Sequence, residues 1–368
     1  MNKNKYNSGE MHVGYESENR HTTSSFINDT KKSSIAIVAS ILVLAIVTVI
    51  FFAVFGGFDF SLPAWNLPSW EDEQPPQSTT PTQSPYIPLE GGKGMYQLDL
   101  SSGYAILVNA SNLTTIAHKY ADETIYPASM TKVMTVITAL DLIKEENFDD
   151  VYIFDPAVLS TLNGDESTAD MKYLYDEYGS AKYTVRDLIY GISYRSGADS
   201  VVCLLDYLNL DMAQFVQLMN EKAKEIGLQN TTFGGAIGMD TENNTTTCRD
   251  VAAIMIYAMN NPICVELFGG TSYKLPHIDM TYFNSTLHKT MQNMGTSPQK
   301  VLGSNYTLLA AKSGLEDNAG YCLVSYIKNN VTGEYFVLVT AKAEKSQEYP
   351  PNKNTILDME TIFDEYTP

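Results

Sequence analysis

The sequence is short of cysteine, of basic charge and of internal repetition. Only four cysteines occur in 368 residues, Cys203, Cys248, Cys264 and Cys322. None forms a C-x-x-C pair or stands at metal-ligand spacing from a histidine, which argues against a zinc site. Cys203 ("SVVCLLDYL") and Cys322 ("GYCLVSYI") lie in apolar runs and read as buried thiols acting as small hydrophobes. An exported chain tolerates a disulfide, but nothing here selects a pairing. Lysine and arginine number 24 against 43 acidic residues, a formal charge of −19. That balance argues against nucleic acid as a partner and reads as a solvated surface outside the cell. What the chain does have is 44% hydrophobic residues, enough for a sizeable core in one large or two ordinary domains.

Composition divides the chain. Residues 1–33 are polar and mixed in charge, the texture of a disordered cytoplasmic tail. Residues 34–57 contain about twenty uncharged, mostly apolar residues from Ile35 to Phe55, enough to cross a bilayer as a single helix. The apolar stretch is too long for a typical secretory signal, and no small-residue cleavage site follows closely. Lys31 and Lys32 precede the span while Asp59, Glu71, Asp72 and Glu73 follow it. The charge bias puts the N-terminus in the cytoplasm and the remainder outside. Residues 58–93, rich in Pro, Ser, Thr and Gln, read as an extended stalk.

From residue 94 to 368 the texture is globular. "MYQLDL" and "YAILVNA" alternate like strands around the turn "SSG", and "GYCLVSYIK" and "EYFVLVTAKA" flank the hairpin turn "NNVTGE". "MTKVMTVITALDLIKEE", "YTVRDLIYGISY", "SVVCLLDYLNL", "MAQFVQLMNEKAKEIG", "TTTCRDVAAIMIYAM" and "NTILDMETIFDEY" carry helical patterns. Strands at both ends with helices between them imply an α+β unit. Its sheet is expected to be antiparallel, built from the two termini and flanked by helices, with an all-helical lobe inserted.

Within "IYPASMTKVMTVITALDL", Ser129 stands three residues before Lys132, so the two side chains share a helix face. Serine needs a neighbour to take its proton, and a lysine with a lowered pKa can do so. A helix N-terminus favours a developing anion. The same pattern recurs at Ser297–Lys300 ("SPQK") with no apolar helix after it, so the pattern alone proves little. Ser196 lies in a break between two apolar helices, and "AAKSGLEDNAGYCLV" carries Lys312, Ser313 and Gly314 into a strand pair. Singly, these residues also read as a helix cap, strand-end polar groups and turn glycines.

A serine–lysine pair, a serine on an interhelical loop and Lys-Ser-Gly on a strand, in that order, form the set used by penicillin-binding proteins and serine β-lactamases. From about Gly94 onward the chain resembles the D-alanyl-D-alanine carboxypeptidases. "YAILVNASNLTTIAHKYADETIYPASMTKVMT", "YTVRDLIYGISYRSGADS", "GLQNTTFGGAIGMD", "TTTCRDVAAIMIYAM" and "AAKSGLEDNAGYCLV" look like successive segments of that family. The resemblance implies the β-lactamase/transpeptidase-like fold, with Ser129 as acylated nucleophile, Lys132 as its base and Ser196 as proton relay. It implies that Lys312 and Ser313 meet the substrate's terminal carboxylate and that Gly314 leaves room for a ligand backbone. The oxyanion hole would be the N–H groups of Ser129 and Leu315. No metal or organic cofactor is implied. The partners implied are peptidoglycan stem peptides as substrate, β-lactams as covalent inhibitors and the lipid bilayer through residues 35–55.

Two departures stand out. Where the family has Ser-x-Asn, this chain reads Ser196-Gly197-Ala198, so the amide that orients the lysine and holds a substrate carbonyl is missing. That opens a second reading, a penicillin-binding sensor or scaffold with little turnover. A serine β-lactamase is a third, but the Glu-x-x-Leu-Asn box of its commonest class is absent, and Glu225 in "EIGLQN" reads as a helix end. Many relatives also carry a C-terminal β-domain and amphipathic anchor. Here the sequence ends soon after its last helix, and the N-terminal span takes the anchoring role. The third residue of the stem, the choice among carboxypeptidase, endopeptidase and transpeptidase action, and the oligomeric state are not legible.

Overall fold

The computed structural model describes residues 84–162, 171–179, 182–276 and 282–367. The expected tail, the span at 35–55 and most of the stalk lie outside the described residues. Among the described residues no single helix is long and apolar enough to cross a membrane.

The chain enters through strands β1 (Lys93–Gly94), β2 (Ser102–Asn109) and β3 (Thr114–Lys119). It then runs through α1 (Thr131–Leu142), β4 (Val151–Ile153), α2 (Met171–Tyr178), β5 (Lys182–Thr184), α3 (Val185–Tyr194) and α4 (Ala198–Tyr207). Helices α5 (Met212–Ile226), α6 (Cys248–Ala258) and α7 (Pro262–Gly269) follow, then β6 (Ser272–Lys274), β7 (Tyr282–Asn284), α8 (Thr286–Asn293) and α9 (Pro298–Leu302). The chain returns to the sheet as β8 (Tyr306–Glu316), β9 (Gly320–Asn329) and β10 (Tyr335–Ala343), and α10 (Lys353–Tyr366) closes it. The six-stranded sheet has the order β1-β3-β2-β10-β9-β8. It is built from both ends of the body around a helical insertion, as the sequence implies. One difference is that β1 pairs parallel to β3, so the sheet is mixed.

Side chains alternate across a strand, and here each alternation feeds a separate core. Ile106, Val108, Val324, Val337 and Val339 pack against the helical lobe. Ala105, Leu107, Leu323, Phe336 and Leu338 face α10, where Ile356, Met359, Ile362 and Phe363 are buried. Helix starts follow their capping residues: Thr184 and Asp187 form a capping box on α3, and Asp211 and Gln214 form another on α5. Helix α1 is unlike an ordinary amphipathic helix, because every residue from Thr131 to Ala139 is buried. A helix covered all round sits in the middle of a domain, so Lys132 is carried into the interior.

Strand β8 contains a bulge. Leu308 pairs with Ile327, but Ala310 pairs with Tyr326, leaving Leu309 as an extra residue. One added residue reverses which face the following side chains meet. Tyr306 and Leu308 belong to the α10 side, whereas Ala310 belongs to the lobe side. By the same alternation Lys312 and Gly314 point toward the lobe. Gly269, the last residue of α7, makes room for the bulge, since a Cβ there would lie 2.1 Å from the Leu309 carbonyl oxygen.

Two expectations are corrected. "MYQLDL" forms turns rather than a strand, because its place beside β3 is taken by Lys93 and Gly94. The folded body also begins before residue 94. The Leu89 N–H donates to the Leu113 carbonyl at 2.7 Å, Arg249 Nη1 donates to the carbonyls of Pro88 and Leu89, and Tyr86 packs edge-on against Tyr257. The proline-rich composition hid a strap that has no core of its own and borrows the body's. All four cysteines are buried free thiols, and burial pushes Cys203, Cys264 and Cys322 up to about 12.

Candidate active site

Ser129 sits in a single 3-10 turn, Ala128–Met130, that leads directly into α1. The residue before it, Ala128, has φ +47°, a left-handed conformation that costs a non-glycine residue about 1–3 kcal/mol. Its surroundings impose it. A Cβ on Gly238 would lie 2.2 Å from the Ala128 carbonyl oxygen, and one on Gly314 would lie 3.0 Å from the Ser129 nitrogen. Two glycines thus clasp the Ala128–Ser129 peptide from the 234–246 loop on one side and β8 on the other.

Lys132 is 1% exposed. Its Nζ donates to Ser129 Oγ at 3.0 Å and to the Ile237 carbonyl oxygen. The loop that supplies Ile237 is pinned to α1 a second time, by Thr135 Oγ1 donating to the Ala236 carbonyl at 2.7 Å. Asp240, three residues on, accepts from the N–H groups of Asn318 and Ala319 in the β8–β9 turn. The loop therefore joins the serine's helix to the strand pair.

Lys312 is 3% exposed and lies inside β8 rather than at a solvated strand end. Its Nζ donates to Ser196 Oγ at 2.9 Å and to the Ser313 carbonyl at 2.7 Å. Ser196 lies between α3 and α4 with φ +60°. It is not the cap of α4, whose N-cap is Gly197. Burial first, and then the field of Lys132, holds the Lys312 amine well below the usual lysine range. The two buried amines are thus near enough to repel, and the site favours carrying one proton fewer. Ser129, Ser196, Ser313, Gly314 and Leu315 all line one open groove of about 850 Å³. Strand β8 is an edge of the sheet, so its outer rim is available to a ligand backbone.

All seven residues singled out from the sequence thus meet in one place. The decoy at Ser297 does not join them: Ser297 Oγ caps α9 by accepting from the Lys300 N–H. Ala198 is fully buried at the start of α4. Sequence reasoning missed Ile237, Gly238 and Asp240. The glycine run in "GGAIGMD" was the available signal, but a carbonyl ligand such as that of Ile237 leaves no mark of residue type. It also missed Arg195, the neighbour of Ser196 in the groove wall.

A mixed sheet with a helical insertion, and a serine–lysine pair beneath its edge strand, define the α+β fold of the penicillin-binding proteins and transpeptidases. A DD-transpeptidase from Streptomyces has this fold with a TM-score of 0.58 and 21% identity, over 73% of this chain and 98% of that one. A penicillin-binding protein from Listeria monocytogenes, solved in a cefotaxime-bound form, gives a TM-score of 0.55 and 21% identity, over 72% of this chain and 98% of that one. Within that class the chain belongs to the D-alanyl-D-alanine carboxypeptidase family, peptidase S11, whose pattern matches residues 92–343. The D-alanyl-D-alanine carboxypeptidase DacF of Bacillus subtilis is 26% identical over 261 residues, which is 70% of this chain and 62% of DacF. The chain therefore spans about three fifths of that relative's length.

Proposed function

We propose that the protein is a membrane-anchored serine DD-carboxypeptidase that removes the terminal D-alanine from peptidoglycan stem peptides. Residues 35–55 hold it in the bilayer, with the N-terminus cytoplasmic and the groove on the outer side. The observation that carries the reading is the 3.0 Å hydrogen bond between Lys132 Nζ and Ser129 Oγ, in the same site as the Lys312–Ser196 pair. Family membership supplies the substrate class.

In this mechanism Ser129 Oγ adds to the carbonyl of the penultimate D-alanine while its proton passes to Lys132. The oxyanion that forms is met by the N–H groups of Ser129 and Leu315, each such donor being worth about 3 kcal/mol. The C–N bond breaks as the leaving amine takes a proton through Ser196, and D-alanine departs. Water then adds to the ester, releasing the shortened stem and returning the proton to Ser129. Lys312 and Ser313 hold the terminal carboxylate, and Gly314 lets the stem lie against β8. A β-lactam would acylate the same serine.

Ala198 favours one competing reading, a binder that acylates and does not turn over. Incubation with a pentapeptide stem ending in D-Ala-D-Ala separates the two. The carboxypeptidase releases free D-alanine over many turnovers, whereas a single equivalent or none per chain contradicts it.

A further inference from the structure

Beside the groove, at the same end of the sheet, three tyrosines are gathered on the surface. Tyr96 is 58% exposed and Tyr120 is 52% exposed, with Tyr104 of β2 half-buried beside Tyr120. The rings are set edge to face, Tyr96 to Tyr120 at 5.3 Å and Tyr104 to Tyr120 at 6.4 Å between centroids. His118 extends the set, 6.4 Å from Tyr96.

The cluster is built rather than incidental. Tyr120 is held at φ +48°, a conformation costly for a bulky residue and one that surroundings must enforce. Tyr96 folds back over Gly94, where a Cβ would lie 2.6 Å from its ring. The strand that carries Tyr104 is the neighbour of one that lines the groove. Tyr104 pairs with Ala341, and the next residue, Lys342, lines the groove wall opposite Gly103. Lys342 is itself at φ +56°.

Aromatic rings gathered on the surface in this way are suited to a contact outside the chain. The cluster's chemistry narrows the choice. The exposed large side chains here are tyrosines, whereas a lipid surface would add aliphatic groups; a second protein surface suits tyrosine equally, and the test below reads it out as self-association. Tyrosine offers a π face to an apolar surface and a hydroxyl to a polar one. A pyranose matches both, with axial C–H groups on its face and hydroxyls around its rim.

We propose that Tyr96, Tyr104 and Tyr120 form a stacking platform for the sugar rings of a peptidoglycan glycan strand, beside the groove that takes its stem peptide. The proposal rests on the carboxypeptidase reading for the identity of the polymer. The platform holds the glycan while the stem reaches β8, and it favours polymeric over free stem substrates.

The test uses the full-length chain in detergent with glycan strands stripped of their peptides, and chitohexaose as a soluble probe. The chain is expected to bind both, and Tyr96→Ala or Tyr120→Ala to weaken binding by about tenfold each without a change in melting temperature. D-alanine release from intact peptidoglycan should fall in both variants, while release from a soluble pentapeptide stays unchanged. Ser129→Ala should keep full glycan binding, so a chain that binds glycan but releases no D-alanine retains the platform and loses the carboxypeptidase reading. No binding of stripped glycan by the parent chain would overturn the proposal. So would unaltered binding in both tyrosine variants, or a loss of self-association in its place.

Discussion

Gly238 lies with its α-carbon against the Ala128 carbonyl, so close that a Cβ at 238 would meet that oxygen at 2.2 Å. The contact holds Ala128 in its left-handed conformation and fixes where Ser129 enters α1. Gly238→Ala should therefore cost about 1–3 kcal/mol from its own φ of +90° alone, and should slow penicillin acylation more than it lowers the melting temperature. Gly235→Ala, in the same loop with open space around its Cβ position, should be neutral or slightly stabilising. Chemical denaturation and acylation rates on the pair check both statements.

Lys312 is a buried amine kept below its ordinary pKa. Below that lowered folded-state value the protein bears the full cost of a charged interior. As pH rises from there toward about 10.5, the folded chain loses this proton before the unfolded one, and the group's contribution to stability improves. Lys312→Met should thus raise the melting temperature by about 2–4 °C for each kcal/mol relieved. The gain should be largest at low pH and shrink as pH approaches 10.5, while acylation is lost. Thermal melts across that range, paired with penicillin labelling, read the two effects.

By the resemblance drawn from the sequence, Ala198 takes the place of the asparagine of Ser-x-Asn. Ala198→Asn should raise D-alanine release by about tenfold, the value of one hydrogen bond of about 1.4 kcal/mol made in the transition state. Asparagine is compatible with the first turn of α4. Steady-state kcat on a pentapeptide measures it, and an unchanged kcat means that the wall around Ser196, Arg195 included, already supplies the contact.

Much of this site was legible before the structure, and the reason is physical. In the proposed mechanism Ser129, Lys132, Ser196 and Lys312 act through side chains whose type is part of their chemistry, so each marks the sequence. What escaped acts through the backbone or through packing. The Ile237 carbonyl holds Lys132 whatever its side chain. The bulge at Leu309 is a count of residues between two strands, yet it alone turns Lys312 toward the lobe. The fold shows the same division. Apolar periodicity marked α1 and the β9–β10 hairpin, whereas "MYQLDL" alternated like a strand and yielded to Lys93–Gly94. The strap at 84–93 has little apolar pattern, because Tyr86 and Ile87 pack on the body while Arg249 holds the Pro88 and Leu89 carbonyls.

Intact-mass and peptide mapping of the chain after exposure to a penicillin tests the pairing of Ser129 with Lys132 most directly. One adduct on Ser129 is predicted. Ser129→Ala should give none, and Lys132→Met should still fold but acylate about 10²–10⁴-fold more slowly. An adduct on another residue, or acylation of Lys132→Met at the parent rate, would contradict the account.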